Sequence, residues 1–570
     1  MTRWTRLVWI WVAALPVIAV GAQERPAAEL IIHGAKVWTV NPAQPEAQAV
    51  AVLNGRIVAV GADAAIDRWR GPATRLVDAG GKRLLPGFDD AHVHFGAGGA
   101  ALGSVQLNDA TSAEEFARRI GERVKQTRKG EWILGGNWDE TKWNPAEVPT
   151  RGLIDRVAPD TPVVLDRYDG HMVVANSLAL KLAGVTAATA DPPGGVVVRD
   201  LNGEPTGALK DAAADLLAHV IPGKSHGQRR RAIERALQVA AAAGVTSVQD
   251  MAPDYADVAV YAELLAEHRL TTRIYVAPTI ANVEDQVKIG IRRAFGSPWL
   301  RLGALKAFAD GSVGSRTAHF FEPFVDQPSN RGILRDEMLP LSVMGGRMKR
   351  ADAAALQLCT HAIGDAAIST ILDLYADIDA RHGPRDRRWR VEHAQHMAAK
   401  DFARFASLKV IASVQPYHAI DDGRWVEARI GHDRASRTYA FRTFLDRGVR
   451  LAFGTDWPVA PLDPMLTLYA ATTRATLDDK HPEGWFPEQK LTIQEAIAAY
   501  TTGSAYAEFQ ESDKGSIQPG KLADFVLLSA DVLAIRPEAI RDVKVLRTWV
   551  GGELVYQADE TAAQPGGGIR

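Results

Sequence analysis

The hydrophobic positions change period along the chain, and the changes divide it. Residues 30–40 and 49–61 are β-rich, and Asn54-Gly55 sits in the second stretch as a tight two-residue hairpin turn. The far end has the same pattern, with β-rich runs at 523–528 and 545–556 and Gly551-Gly552 as a second turn. Neither end can bury a core alone. The pattern therefore predicts one small β-sandwich built from both termini, residues 23–82 and 506–570; two independent flaps would leave exposed strand edges. Between them, short apolar runs alternate with helical periodicity. Eight runs read as strands: 83–88, 245–249, 272–278, 302–308, 355–360, 389–392, 410–415 and 450–454. Such alternation predicts an α/β fold whose parallel βα units close into a (β/α)8 TIM-like barrel over 83–505. One gap, about 96–230, is too long for a crossover helix and predicts an inserted subdomain after the first barrel strand. Pro192-Pro193-Gly194-Gly195 and Asn202-Gly203 mark loops inside it.

The start of the chain follows a different pattern. Arg3 and Arg6 precede an apolar run at 7–20, and Val20-Gly21-Ala22 offers small residues for a peptidase. This reads as a signal peptide, residues 1–22, cleaved after Ala22. The run is shorter than the roughly 20 residues a membrane span needs, and no cysteine follows it to carry a lipid. The expectation is an exported protein, periplasmic or secreted, with no stable membrane anchor.

Composition adds constraints. With 570 residues, 46% hydrophobic and 24% charged, the chain belongs with ordinary globular proteins of several folding units. A net charge of -2 gives no global field for nucleic acid or anionic lipid, so the expected partner is a small molecule. Self-association to a homo-oligomer is left open. Cys359 is the one cysteine, so stability must come from a large core and not from disulfides.

The polar residues of interest fall at strand C-terminal ends, where such barrels keep their active sites. Asp90-Ala91-His92-Val93-His94 follows the first run. Alternate residues at a strand end point the same way, so His92 and His94 can reach one metal. Two satisfied interior histidines would give the same short motif. Lys306-Ala307-Phe308-Ala309-Asp310 ends the fourth run, His361-Ala362-Ile363-Gly364-Asp365 the fifth, Glu392-His393-Ala394-Gln395 the sixth and Gly454-Thr455-Asp456-Trp457-Pro458 the eighth. Taken singly, each is a plausible interior residue. Their convergence on one barrel mouth supplies ligands for two metal ions.

The ordered set Gly-Phe-Asp-Asp-Ala-His-Val-His at 87–94, Lys306 and the three strand-end motifs after it resembles the amidohydrolase superfamily. More narrowly, it is similar to amidohydrolase family 3, the YtcJ-like branch that includes N-substituted formamide deformylase. The resemblance spans the chain after the leader, including 135–138, Asp169-Gly170-His171, Asn176-Ser177 and Gly520-Lys521-Leu522-Ala523-Asp524. It implies that His92, His94 and Asp456 bind one metal and that His361 and His393 bind a second. An ammonium has no lone pair, so Lys306 is implied to carry carbon dioxide as a carbamate that bridges the ions. Zn2+ suits these ligands; manganese, iron or cobalt would also be accepted. Hydroxide held by the metals would attack an amide-like carbonyl, with Asp456 shuttling the proton to the leaving nitrogen.

The expected activity is hydrolysis of a non-peptide carbon–nitrogen bond in a small molecule. A deaminase or other C–N hydrolase on the same fold, or a non-catalytic binding protein, are the alternatives. Lys306 weighs against one-metal deaminases, and the complete ligand set against a binder. Trp138, His171, Arg316, His319 and His418 are candidates to contact substrate, each with a structural role as its alternative. Trp457 is a further candidate wall, Asp250 a candidate support residue, and Cys359 reads as a small core residue.

Overall fold

Asn54 and Gly55 both take left-handed backbone, φ 51° and 69°, which is what lets a two-residue turn match the twist of its strands. It joins Ala49–Leu53 to Arg56–Gly61 in an antiparallel pair. These strands, with Leu30–His33 and Arg75–Asp78, make a four-stranded sheet. A six-stranded sheet draws on both ends of the chain, in the order Glu553–Gln557, Val545–Val550, Phe525–Leu528, Arg83–Pro86, Lys36–Trp38, Glu46–Ala47. The two sheets share a core that includes Ile32, Val50, Leu84, Phe525 and Trp549. This computed structural model describes residues 26–559, so the expected leader at 1–22 lies outside the described residues. Among those described, no helix is long and apolar enough to cross a membrane.

The run at 83–88 is not the first strand of the central domain. It divides at Gly87: Arg83–Pro86 pairs with Phe525–Leu528, whereas Phe88–Val93 pairs with Val245–Met251. The chain passes between two sheets at a point where a Cβ would lie 2.2 Å from the Thr246 side chain. The run at 302–308 divides in the same way at Gly303, φ 139°. Leu300–Leu302 pairs with Arg273–Ala277, and Ala304–Phe308 with Gln357–Ala362.

The central strands accordingly form two five-stranded sheets, parallel except for the antiparallel edge Phe295–Gly296, and not one closed ladder. The first runs Phe295–Gly296, Leu300–Leu302, Arg273–Ala277, Val245–Met251, Phe88–Val93; the second Ala304–Phe308, Gln357–Ala362, Arg390–His393, Ile411–Val414, Leu451–Phe453. Their facing edges meet at single parallel bridges, Thr279 with Lys306 and Val93 with Trp457. Asp456 N donates to His92 O at 2.7 Å, and His94 N to Trp457 O at 2.8 Å, across one of these seams. Helices cover the outside. His226–Ala242 starts with a Ser225/Gln228 capping box and buries Ile233, Ala236, Leu237 and Ala240.

Between Phe88–Val93 and that helix the chain builds a further five-stranded sheet: Gly195–Arg199, Pro205–Asp211, Met172–Ala175, Val163–Arg167, Ile133–Trp138. Its faces bury separate cores, Trp138, Leu165 and Val174 in one, Val164, Val173 and Leu209 in the other.

Candidate metal centre

His92 ends up fully buried because every residue of Phe88–Val93 is inside the molecule. His94 follows as the N-cap of the helix Phe95–Ala101. His393 closes the strand Arg390–His393, and Asp456 lies just past Leu451–Phe453. Donor atoms of His92, His393 and Asp456 all lie within 4.8 Å of one another. His92 Nε2 and His94 Nε2 each stand 3.4 Å from Asp456 Oδ1. That oxygen is buried and has no hydrogen-bond partner.

The other nitrogen of each imidazole is occupied. His92 Nδ1 meets Glu392 Oε2 at 2.6 Å, His94 Nδ1 meets Met251 O at 2.8 Å, and His393 Nδ1 meets Gln415 Oε1 at 2.9 Å. All three partners accept, so each ring donates from Nδ1 and presents the Nε2 lone pair to the site, that of His92 facing Lys306 Nζ at 3.2 Å. Metal-binding histidines are fixed in this way. Arg390 supports the arrangement from beneath, donating Nη2 to Glu392 Oε2 at 3.0 Å. Burial and the nearby Lys306 push His92 down to about 4. Burial and His361 hold His393 well below its ordinary value. Both rings are neutral near neutral pH, the form that offers a lone pair. A buried carboxylate oxygen without a donor, facing unprotonated imidazole nitrogens, is the donor set of a divalent cation, and the residues fit one.

Lys306 places Nζ 3.2 Å from His92 Nε2. It is fully buried, and burial lowers its pKa. The His361 ring centroid lies 4.5 Å from that of His393, but its Nε2 turns to Gly311 O and Asp310 Oδ1, at 3.3 and 3.4 Å. His361 therefore stands beside the triad and is not part of it. His393 and Asp456 have φ of 72° and 61°, conformations that cost a non-glycine residue of order 1–3 kcal/mol and recur at functional sites.

These groups open onto a cavity of about 390 Å3 lined by His94, Lys306, His361, His393 and Asp456 from the strand ends. Asp166–His171 of the inserted sheet and His418–Trp425 after Ile411–Val414 supply other walls. Of the candidate substrate contacts, His171 and His418 line it. His171 Nδ1 bonds Asp211 Oδ1 at 2.8 Å; burial opposes its charge, but Asp211 raises its pKa. Trp138 does not line the cavity: it sits in the inserted core and donates Nε1 to Leu165 O at 2.9 Å. Arg316 is not among the lining residues and pairs with Asp326 at 2.7 Å. His319 is not among the lining residues; its amide caps Asp310 Oδ2 at 2.8 Å. Trp457 packs on Phe95, ring centroids 6.1 Å apart.

Sequence reasoning passed over the residues that hold the ligands. Glu392, Arg390 and Gln415 were legible only as inward positions on strands flanking the histidines. Asp90 accepts from Thr455 N and Tyr500 Oη at 2.9 and 2.8 Å. Asp250, by contrast, reads from the sequence as a candidate support residue, and it accepts from Phe95 N and Tyr261 Oη at 2.8 and 2.6 Å, which fixes the helix start after His94. Of the cavity walls from the inserted sheet, Asp169-Gly170-His171 belongs to a motif legible in the sequence, whereas Asp166–Tyr168 carries none.

The sequence profile of the amidohydrolase family matches residues 75–556. Protein LONG AFTER FAR-RED 3 of Arabidopsis thaliana is 38% identical over 544 residues, covering 93% of this chain and 92% of its own. N-substituted formamide deformylase of Arthrobacter pascens is 29% identical over 545 residues, covering 93% and 98%. A crystal structure of an uncharacterized metal-dependent hydrolase from Pyrococcus horikoshii OT3 matches with a TM-score of 0.72 and 28% identity, covering 89% of this chain and 99% of that one.

Proposed function

The chain belongs to the amidohydrolase family, and from that premise we propose that it hydrolyses a non-peptide, amide-like carbon–nitrogen bond in a small molecule, with a divalent metal. The observation that carries this reading is Asp456 Oδ1, buried without a donor between two imidazole Nε2 atoms at 3.4 Å. The similarity of the chain to N-substituted formamide deformylase supports the bond type. When bound, a divalent ion polarises a carbonyl and lowers the pKa of a coordinated water from 15.7 to about 7.

The chain's own residues have distinct tasks. His92, His94, His393 and Asp456 would hold the ion, and Glu392, Met251 and Gln415 keep the three rings oriented. His361 is the further ligand if a second ion binds. Lys306, whose neutral form burial favours, can add carbon dioxide with loss of a proton and become a carbamate anion, whose two oxygens would help hold two zinc ions. Asp456 accepts the proton of the attacking water and returns it to the departing nitrogen. His171 and His418 orient the substrate within the cavity. In this reading the two five-stranded sheets act as one barrel and the terminal sheets as a sandwich beneath it. Export to the periplasm or medium is also proposed, on the N-terminal sequence alone.

The test is amine release from a panel of N-alkylformamides and N-alkylacetamides by zinc-loaded protein, before and after chelation and zinc return. Turnover should vanish and then recover. Full metal loading with no panel member hydrolysed would contradict the reading.

A further inference from the structure

The cavity walls carry more carboxylate than the protein neutralises. Asp166, Asp169, Asp421 and Asp422 all line the space beyond the metal ligands. Asp169 is paired with Arg167 at 2.7 Å, and Asp421 with Arg424. The lining arginines are engaged: Arg167 also binds Glu140 at 2.9 Å, and Arg335 binds Asp211 at 3.1 Å. Asp422 has no lysine or arginine partner among the described residues; its side-chain contact is the Tyr439 hydroxyl, which donates to Oδ2 at 2.5 Å. Gln395 donates in turn to Tyr439. A relay thus runs from the strand end that bears His393, through Gln395 and Tyr439, to a carboxylate that keeps its other oxygen for a ligand.

An independent feature lies on the same wall. His418 is only 8% exposed, lines the cavity, and leaves Nε2 without a partner. It and Asp422 are four residues apart on the helix Pro416–Asp422, hence on one face and about 6 Å apart along the axis. His418 feels the charge of Asp456, and the helix carries Asp422 one turn beyond it in the chain. Tyr168 and Trp425 complete this end with aromatic surface, each ring already carrying an arginine, Arg167 at 4.7 Å and Arg429 at 4.4 Å from its centroid.

Resting on the hydrolase reading above, we propose that Asp422 anchors a cationic group of the substrate. The substrate class is then an N-acyl amine carrying a second, charged nitrogen, a primary ammonium or guanidinium, about one helical turn from the scissile amide. His418 Nε2 bonds the connecting or acyl portion. Burial, then Asp421, pushes Asp422 up to about 7. A bound cation takes the place of the proton there and holds the carboxylate ionised.

Three matched probes test this on zinc-loaded protein: N-(4-aminobutyl)formamide, neutral N-pentylformamide and anionic 5-formamidopentanoate. The ammonium probe should exceed the neutral one in kcat/KM by at least about tenfold, the scale of a desolvated charge pair, and the carboxylate should be poorest. Asp422→Asn should bring the ammonium-to-neutral ratio near one, while Asp422→Glu keeps a preference. A wild-type ratio of one or less, or a ratio unchanged in Asp422→Asn, overturns the proposal. If none of the probes is turned over, the hydrolase reading fails instead. Calorimetric affinities for the three then decide this one: tenfold tighter ammonium binding supports it, and equal binding overturns it.

Discussion

Asp456 joins several requirements in one side chain. Burial works to raise its pKa, but His92, His94 and His393 hold it well below the usual carboxylate range, so it stays an anion inside the molecule. Its left-handed backbone and unpartnered Oδ1 are costs that a ligand for that oxygen would offset. Asp456→Asn keeps the shape and one donor oxygen but cannot take a proton. Turnover should fall by about 10²–10⁴-fold with metal content retained, as measured by kinetics beside elemental analysis. Near-normal turnover would leave Asp456 as a ligand only. At this scale the sequence was informative wherever chemistry sat at a strand end: the positions of His92, His94, His393 and Lys306 could be read from motif and alternation. It was poor in the insert. Trp138 reads equally as a pocket wall or as a core residue, and the structure places it in the core, its indole satisfied by Leu165 O. Nothing in the order of residues distinguishes such a tryptophan from one that faces a ligand. Asp422 escaped notice for the converse reason, since its partners Tyr439 and Gln395 come together only in the fold.

Among the elements, glycines decide what periodicity cannot. The apolar runs at 83–88 and 302–308 continue straight through Gly87 and Gly303, because the residues on both sides are buried or partly buried whichever sheet they join. Only the close approach of backbone to Thr246, and a φ of 139° at Gly303, mark where the chain changes sheets. The helix Phe95–Ala101, which follows His94, depends on another such contact. A Cβ on Gly99 would sit 1.9 Å from Ala232 O in His226–Ala242, and two backbones cannot yield that much without separating. Gly99→Ala should therefore cost at least about 1–3 kcal/mol of stability and loosen the helix that fixes His94, lowering zinc affinity as well. Gly346 is the control: it is exposed in Leu341–Ala353 with nothing within 4 Å of a new Cβ. Gly346→Ala should be neutral or stabilise by about 0.5–1 kcal/mol. Equal melting temperatures for the two variants would show that the helix contact is not constraining.

For the whole molecule, the α/β class and the contribution of both termini to one sheet followed from the pattern of β-rich ends around alternating runs. The division of the parallel strands into two sheets did not, since pairing across a seam is a property of distant residues. The electrostatics also belong to the whole fold. Asp422 is raised from 3.8 to about 7, by burial first and Asp421 second. In the metal-free, ligand-free protein the native state thus keeps a proton that the unfolded chain releases. Its stabilising effect is complete below about pH 4 and is lost as the pH rises through about 7. Asp422→Asn removes that titration, so the melting temperature of the variant relative to wild type should rise between pH 5 and 8. A difference independent of pH would mean that Asp422 ionises normally. The most direct test of metal-dependent hydrolysis at this cluster is a titration of zinc into chelated protein, following bound metal per chain and amide turnover in the same samples. Turnover should rise in step with occupancy, and His92→Ala should bind less metal and lose both signals together. Turnover that survives complete removal of metal, or a fully loaded cluster in His92→Ala with undiminished turnover, would contradict it.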